Sequence, residues 1–88
     1  MLDIQITGQC KKDIKRCKKR GKDLNKLWAI VDTLAREEDL DPKHNPHQLS
    51  GNWSGFWEYH IEPDWLLIYN LSKTTLTLVR TGSHSDLF

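Results

Sequence analysis

Three segments near the C-terminus, Phe56 to Glu62, Trp65 to Leu71 and Thr75 to Arg80, limit most strongly what this chain can become. The outer two alternate apolar and polar residues, the period of half-buried strands, while the middle one is nearly continuously apolar, as a central strand is. Pro63-Asp64 and Asn70 to Thr74 separate them. Links this short join antiparallel neighbours, because parallel strands need a crossover of a dozen or more residues. Along the first segment Trp57, Tyr59 and Ile61 point one way and Phe56, Glu58, His60 and Glu62 the other. If the former set is core, His60 faces solvent.

Upstream, Leu2 to Ile6 also alternates and predicts a short first strand. From about Gln9 to Arg20, Cys10, Ile14 and Cys17 recur at helical spacing, with Lys11, Lys15, Lys18 and Lys22 stacked opposite. Gly21 suits the helix end, and Asp23 caps a second helix whose stripe of Leu24, Leu27, Trp28, Val31 and Leu34 runs to about Glu38. The order β-α-α-β-β-β describes one α+β domain spanning residues 1–88. An N-terminal strand and a helical hairpin pack on one face of a small antiparallel sheet, and the other face stays exposed. Between Asp39 and Gly55, Pro42, Pro46, Gly51 and Gly55 punctuate a stretch long enough to be functional.

A chain of 88 residues cannot hold two full domains, and its four tryptophans must each count toward a thin core. No stretch approaches the roughly 20 apolar residues of a membrane span, and the N-terminus does not read as a secretory signal, so a cytoplasmic protein is expected. Cys10 and Cys17 lie about 10 Å apart along one helix, too far for a disulfide, and read as reduced. Residues 1–26 hold nine Lys or Arg against three Asp, a balance of +6, and residues 27–88 hold four against nine acids, a balance of −5. Such polarity suits a polyanion or an acidic partner; a merely solvated helix face is the alternative.

Histidines stand at positions 44, 47, 60 and 84, all outside the helical hairpin. An imidazole titrates near pH 6.5, so a cluster suits acid-base work. His44 and His47 with His60 or His84 would be the ligand set of a metal site. However, Pro46 interrupts the first pair and no H-E-x-x-H or C-x-x-C pattern occurs, so no metal or other cofactor is expected. In a nucleic-acid reading the lysines meet phosphates, and Trp65 and Phe88 are candidate platforms for unstacked bases. The competing reading of Trp65 is plain core packing.

Three segments carry a family resemblance: His47-x-Leu49-x-Gly51-x-Trp53-x-Gly55, the run His60 to Tyr69 reading HIEPDWLLIY, and Arg80 to Phe88 reading RTGSHSDLF. With Lys11-Lys12-Asp13 and the stretch Lys18 to Leu24, they make the chain resemble the YafQ-like branch of the RelE/ParE toxin superfamily over nearly its whole length. Trp57 and Tyr59 are peripheral departures. The resemblance implies the derived fold and a ribosome-dependent endoribonuclease of a bacterial type II toxin–antitoxin pair. Such a toxin cuts mRNA in the decoding site and is silenced by a cognate antitoxin, being monomeric alone and hetero-oligomeric in that complex.

Carried over residue by residue, the resemblance places functional roles on His47, His60, Asp64, Arg80, His84 and Phe88. His84 is the expected general acid and His60 or Asp64 the base, an assignment that the two sides could exchange. Arg80 is expected to stabilise developing charge, His47 to orient the phosphate and Phe88 to stack on a base. Lys11, Lys15, Lys18 and Lys22, with Trp65, are expected to contact RNA or the ribosome. The alternatives are a non-catalytic binding module or a gyrase-poisoning toxin of the same superfamily, which generally lacks the histidine set.

Overall fold

A computed structural model describes residues 1–38, 46–49, 51 and 55–88 of the chain. Its elements are β1 (Asp3–Ile6), α1 (Gly8–Lys19), α2 (Leu24–Ala35), β2 (His47–Gln48), β3 (Trp57–Glu62), β4 (Trp65–Leu71), β5 (Thr75–Gly82) and α3 (His84–Leu87). The sheet order is β1-β5-β4-β3-β2. The last three long strands form the two antiparallel hairpins that their short links dictate. β1 joins β5 in parallel, through Asp3 opposite Thr75 to Ile6 opposite Leu78, so the sheet is mixed rather than purely antiparallel. The long connection that a parallel pair needs is the chain between β1 and β5, which contains both helices and β2, β3 and β4.

Both helices start and stop for local reasons. The Thr7 hydroxyl accepts the Cys10 N–H, and the Asp23 carboxylate accepts the Asn25 N–H. The Gly21 N–H donates to the Lys18 carbonyl, and its φ of +83° lets the Lys22 N–H turn back to the Cys17 carbonyl. That turn ends α1 where a residue with a Cβ would be strained. α2 stops at Ala35, short of the expected Glu38.

The main core lies between the hairpin and one sheet face, from Cys10, Cys17, Leu27, Val31 and Leu34 to Tyr59, Ile61, Trp65, Leu67, Tyr69, Leu76 and Leu78. Cys10 and Cys17 are buried free thiols, and burial pushes Cys10 up to about 12. Trp28, expected in the apolar stripe, is instead 39% exposed at the stripe's margin. The opposite face is not bare. Leu66, Ile68 and Leu87 form a second small core there, with Leu49, Phe56 and Val79 against it, because α3 folds back onto the sheet. No helix among the described residues is long and apolar enough to cross a membrane.

Candidate active site

β3 alternates as its sequence requires: Tyr59 and Ile61 are buried while Glu58 and His60 lie on the other face, partly open. β2 pairs with β3 through His47 opposite Glu58, giving the edge of the expected loop a strand that the sequence did not announce. Glu58 is in turn opposite Ile68, and Ile68 opposite Arg80. Directly opposed residues share a face, so His47, Glu58, Ile68 and Arg80 form one row across four strands, with His60 one step along β3.

The tail completes the cluster. After Gly82 the chain turns into α3, capped by the Ser83 hydroxyl, which accepts the Asp86 N–H, while the Asp86 carboxylate accepts the Ser83 N–H. A Cβ at position 82 would lie 2.8 Å from Asp86 Oδ2, so only glycine allows this fold-back. His84 is thereby brought over the sheet. Its ring centroid is 5.7 Å from that of His60, which is 6.3 Å from that of His47. Asp64, in the turn between β3 and β4, accepts both the His84 backbone N–H at 2.9 Å and a bond with ring Nδ1 at 2.7 Å. Those bonds, the backbone one foremost, hold the Asp64 carboxyl below its ordinary range. An ionised carboxylate only accepts, so Nδ1 carries a proton and Nε2 is the position left for proton exchange.

Glu58, which the sequence reading placed on the face of His60 but did not count as a site residue, has its carboxylate 3.4 Å from His60 Nε2. Its spacing of two from His60 in an alternating strand was the available signal. One ligand atom each of Glu58, His60 and His84 lie within 4.8 Å of one another, so these three side chains could hold a cation. His44, considered beside His47 as a ligand, lies outside the described residues, as does Trp53 of the family motif.

Arg80 is not presented as an isolated cation. Among the described residues, β1 ends its pairing with β5 at Leu78; beyond that point α1 packs beside β5, and its fully buried Asp13 faces the open edge. Asp13 accepts Arg80 Nε at 2.7 Å and Nη2 at 3.3 Å, Arg16 at 2.7 Å, Gln9 at 3.3 Å and the Thr81 backbone N–H at 3.3 Å. Burial alone would raise its pKa, but the bonds from Arg80, Gln9 and Thr81 with the charge of Arg80 outweigh it, and the carboxyl ends below its usual range. Two of Arg80's five N–H bonds are thus engaged with Asp13 and the rest of its fork remains.

Two expected RNA contacts are corrected. Trp65 has no exposure; its ring is in the main core and its Nε1–H donates to Thr81 Oγ1 at 3.0 Å, so no base can stack on it. Lys22 lies past the end of α1, beyond Gly21, and pairs with Glu62 at 3.0 Å alongside Lys26 at 2.9 Å, so it does not extend the lysine stripe. Lys11, Lys15 and Lys18 are exposed on α1, and Phe88 is 60% exposed at the end of the tail.

The family described as "Bacterial toxin of type II toxin-antitoxin system, YafQ" matches residues 2–88. The chain belongs to the YafQ toxin family. It is 42% identical over 87 residues to the mRNA interferase toxin YafQ of Escherichia coli strain K12, covering 98% of this chain and 95% of that protein. Its fold superposes on the toxin of the E. coli DinJ–YafQ toxin–antitoxin complex with a TM-score of 0.91 at 42% identity, covering 99% and 97% of the two chains. A metal-bound toxin from Helicobacter pylori gives 0.93 at 46% identity, covering 100% of both. In this YafQ-family chain His47, His60 and His84, far apart in sequence, are neighbours on one sheet face.

Proposed function

We propose that this YafQ-family toxin is a cytoplasmic, ribosome-dependent endoribonuclease that cuts mRNA in the decoding site and is neutralised by a cognate antitoxin, being monomeric when released. The observation that carries the reading is the convergence of His47, His60 and His84, with centroid spacings of 6.3 and 5.7 Å on one sheet face. The relationship to an mRNA interferase supports the substrate class, and the complex of YafQ with DinJ supports the antitoxin.

In the proposed reaction the ribose 2′-oxygen attacks the adjacent phosphorus while the bond from phosphorus to the 5′-oxygen breaks. His60, beside Glu58, takes the 2′ proton. His84, fixed by Asp64 with Nε2 available, gives a proton to the 5′-oxygen. The products are a 2′,3′-cyclic phosphate and a 5′-hydroxyl, with no water consumed in the step. Asp64 is less suited to be the base than His60 because both its bonds go to His84. Arg80 meets charge on the phosphorane, His47 orients the phosphate, and Phe88 lies against a base. The step needs no metal, because His60 and His84 supply both proton transfers themselves.

Acid-base groups supply ~10²–10⁴-fold each, and enzymes usually exceed ~10⁶-fold, so positioning of the mRNA by the ribosome must add to them. Free RNA is consequently a poor substrate. His84→Ala is expected to lower codon-level cleavage in a translation extract at least ~10²-fold while ribosome binding persists. Cleavage at the wild-type rate would remove His84 from the mechanism.

A further inference from the structure

We infer that Arg20, the C-cap of α1, is a positioning residue that acts through Asp86 to hold the tail in register with the histidine cluster, an inference that rests on the catalytic reading of His84. A single helical turn of four residues has no stability of its own. Polar side chains tie α3 to the rest of the fold from opposite sides. On one side Asp64 holds His84; on the other Arg20 holds Asp86, its Nη1 and Nη2 donating to Oδ2 and Oδ1 at 2.6 and 3.2 Å.

Asp86 stands two residues from both His84 and Phe88, and its carboxylate is shared between Arg20 and the Ser83 N–H while pressed against Gly82. The same group therefore caps the tail and bolts it to the end of α1. A two-pronged guanidinium fixes direction as well as distance, which an ammonium does not. The pair is largely a surface one, with Arg20 about half exposed, so it contributes little to global stability and much to where the tail sits. A misplacement of about 1 Å can cost up to ~10²-fold in rate.

Arg20 also lies in the basic N-terminal segment, so a direct contact with ribosomal RNA is the rival explanation. A double-mutant cycle separates the two, with toxin purified away from antitoxin and assayed on programmed ribosomes. Arg20→Ala, Asp86→Asn and the double variant are each expected to lower kcat by ~10-fold with unchanged ribosome affinity and thermal midpoint, and Arg20→Lys to recover only part. Additive losses, or a loss confined to ribosome affinity, would overturn the inference.

Amide exchange and the His84 ring signals in the free protein provide a readout independent of catalysis. In Arg20→Ala the amides of residues 84–88 are expected to exchange at least ~10-fold faster. Unchanged exchange and ring signals would overturn the tether even if activity fell. Full activity of His84→Ala would instead sink the catalytic reading, leaving the exchange result to speak for the tether alone.

Discussion

Asp13 shows how one buried side chain can connect the fold to the chemistry. It fills the place that a longer β1 would take beside β5, accepting the Thr81 N–H, and it orients Arg80 with the same carboxylate. Removing one partner of a buried pair leaves the other charge uncompensated, at a cost of about 3–5 kcal/mol. Asp13→Asn is therefore expected to lower stability by about 3 kcal/mol at pH 7. The pH sign follows from the depressed carboxyl: its stabilisation is complete above the unfolded value near 3.9 and is lost as pH falls through the lower folded value. The gap between wild type and Asp13→Asn should accordingly narrow in urea unfolding at pH 3. A gap of the same size at pH 3 and pH 7 would show that the charge of Asp13 is not what stabilises this edge.

At the scale of elements, α3 depends on the absence of one atom. Because a Cβ at residue 82 would meet Asp86 Oδ2 at 2.8 Å and its Cβ at 2.9 Å, Gly82→Ala should push the tail off the sheet. Codon-level cleavage is expected to fall at least ~10-fold while far-UV circular dichroism keeps the spectrum of the body from β1 to β5. Full activity in that variant would mean that the tail tolerates displacement. The long elements were legible in the sequence because burial enforces their period: β3, β4 and β5 begin and end within two residues of where alternation places them. The short ones were not. β2 is two residues held by pairing with β3, and α3 is one turn held by tertiary contacts, so neither repeats a pattern long enough to read. The Ser83-x-x-Asp86 capping signature was the one local signal for α3. Likewise the alternation of β3 placed His60 correctly on the open face, whereas the burial of Trp65 depended on Thr81, sixteen residues away, to satisfy its indole. The role of Asp13 was equally illegible, since its partners Arg80 and Thr81 come from the far end of the chain.

On the scale of the whole molecule, the charge asymmetry gains a direction. The exposed lysines Lys11, Lys15 and Lys18 lie on the face of α1 opposite its buried Cys10, Asp13 and Cys17, and the histidines occupy the sheet face turned away from the main core. The molecule measures 33 × 30 × 28 Å, several times the Debye length of about 8 Å at physiological salt. Acidic groups a full molecular width away cannot cancel the field of Lys11, Lys15 and Lys18, although Asp13 and Asp86 offset Arg16 and Arg20 at contact distance, so the lysine face presents its own potential to a polyanion. Lys22 is subtracted from that side by Glu62, leaving Lys11, Lys15 and Lys18 as the stripe. Reversing these three to Glu is expected to weaken ribosome association and to make the slope of log affinity against log salt shallower by about 2, at roughly 0.7 for each phosphate no longer neutralised. His84→Ala should leave that slope unchanged, because its imidazole acts on the mRNA after docking. An unaltered slope in the triple variant would return the lysines to a solvated helix face, and ribosome recognition would then have to be sought on the sheet face and the tail.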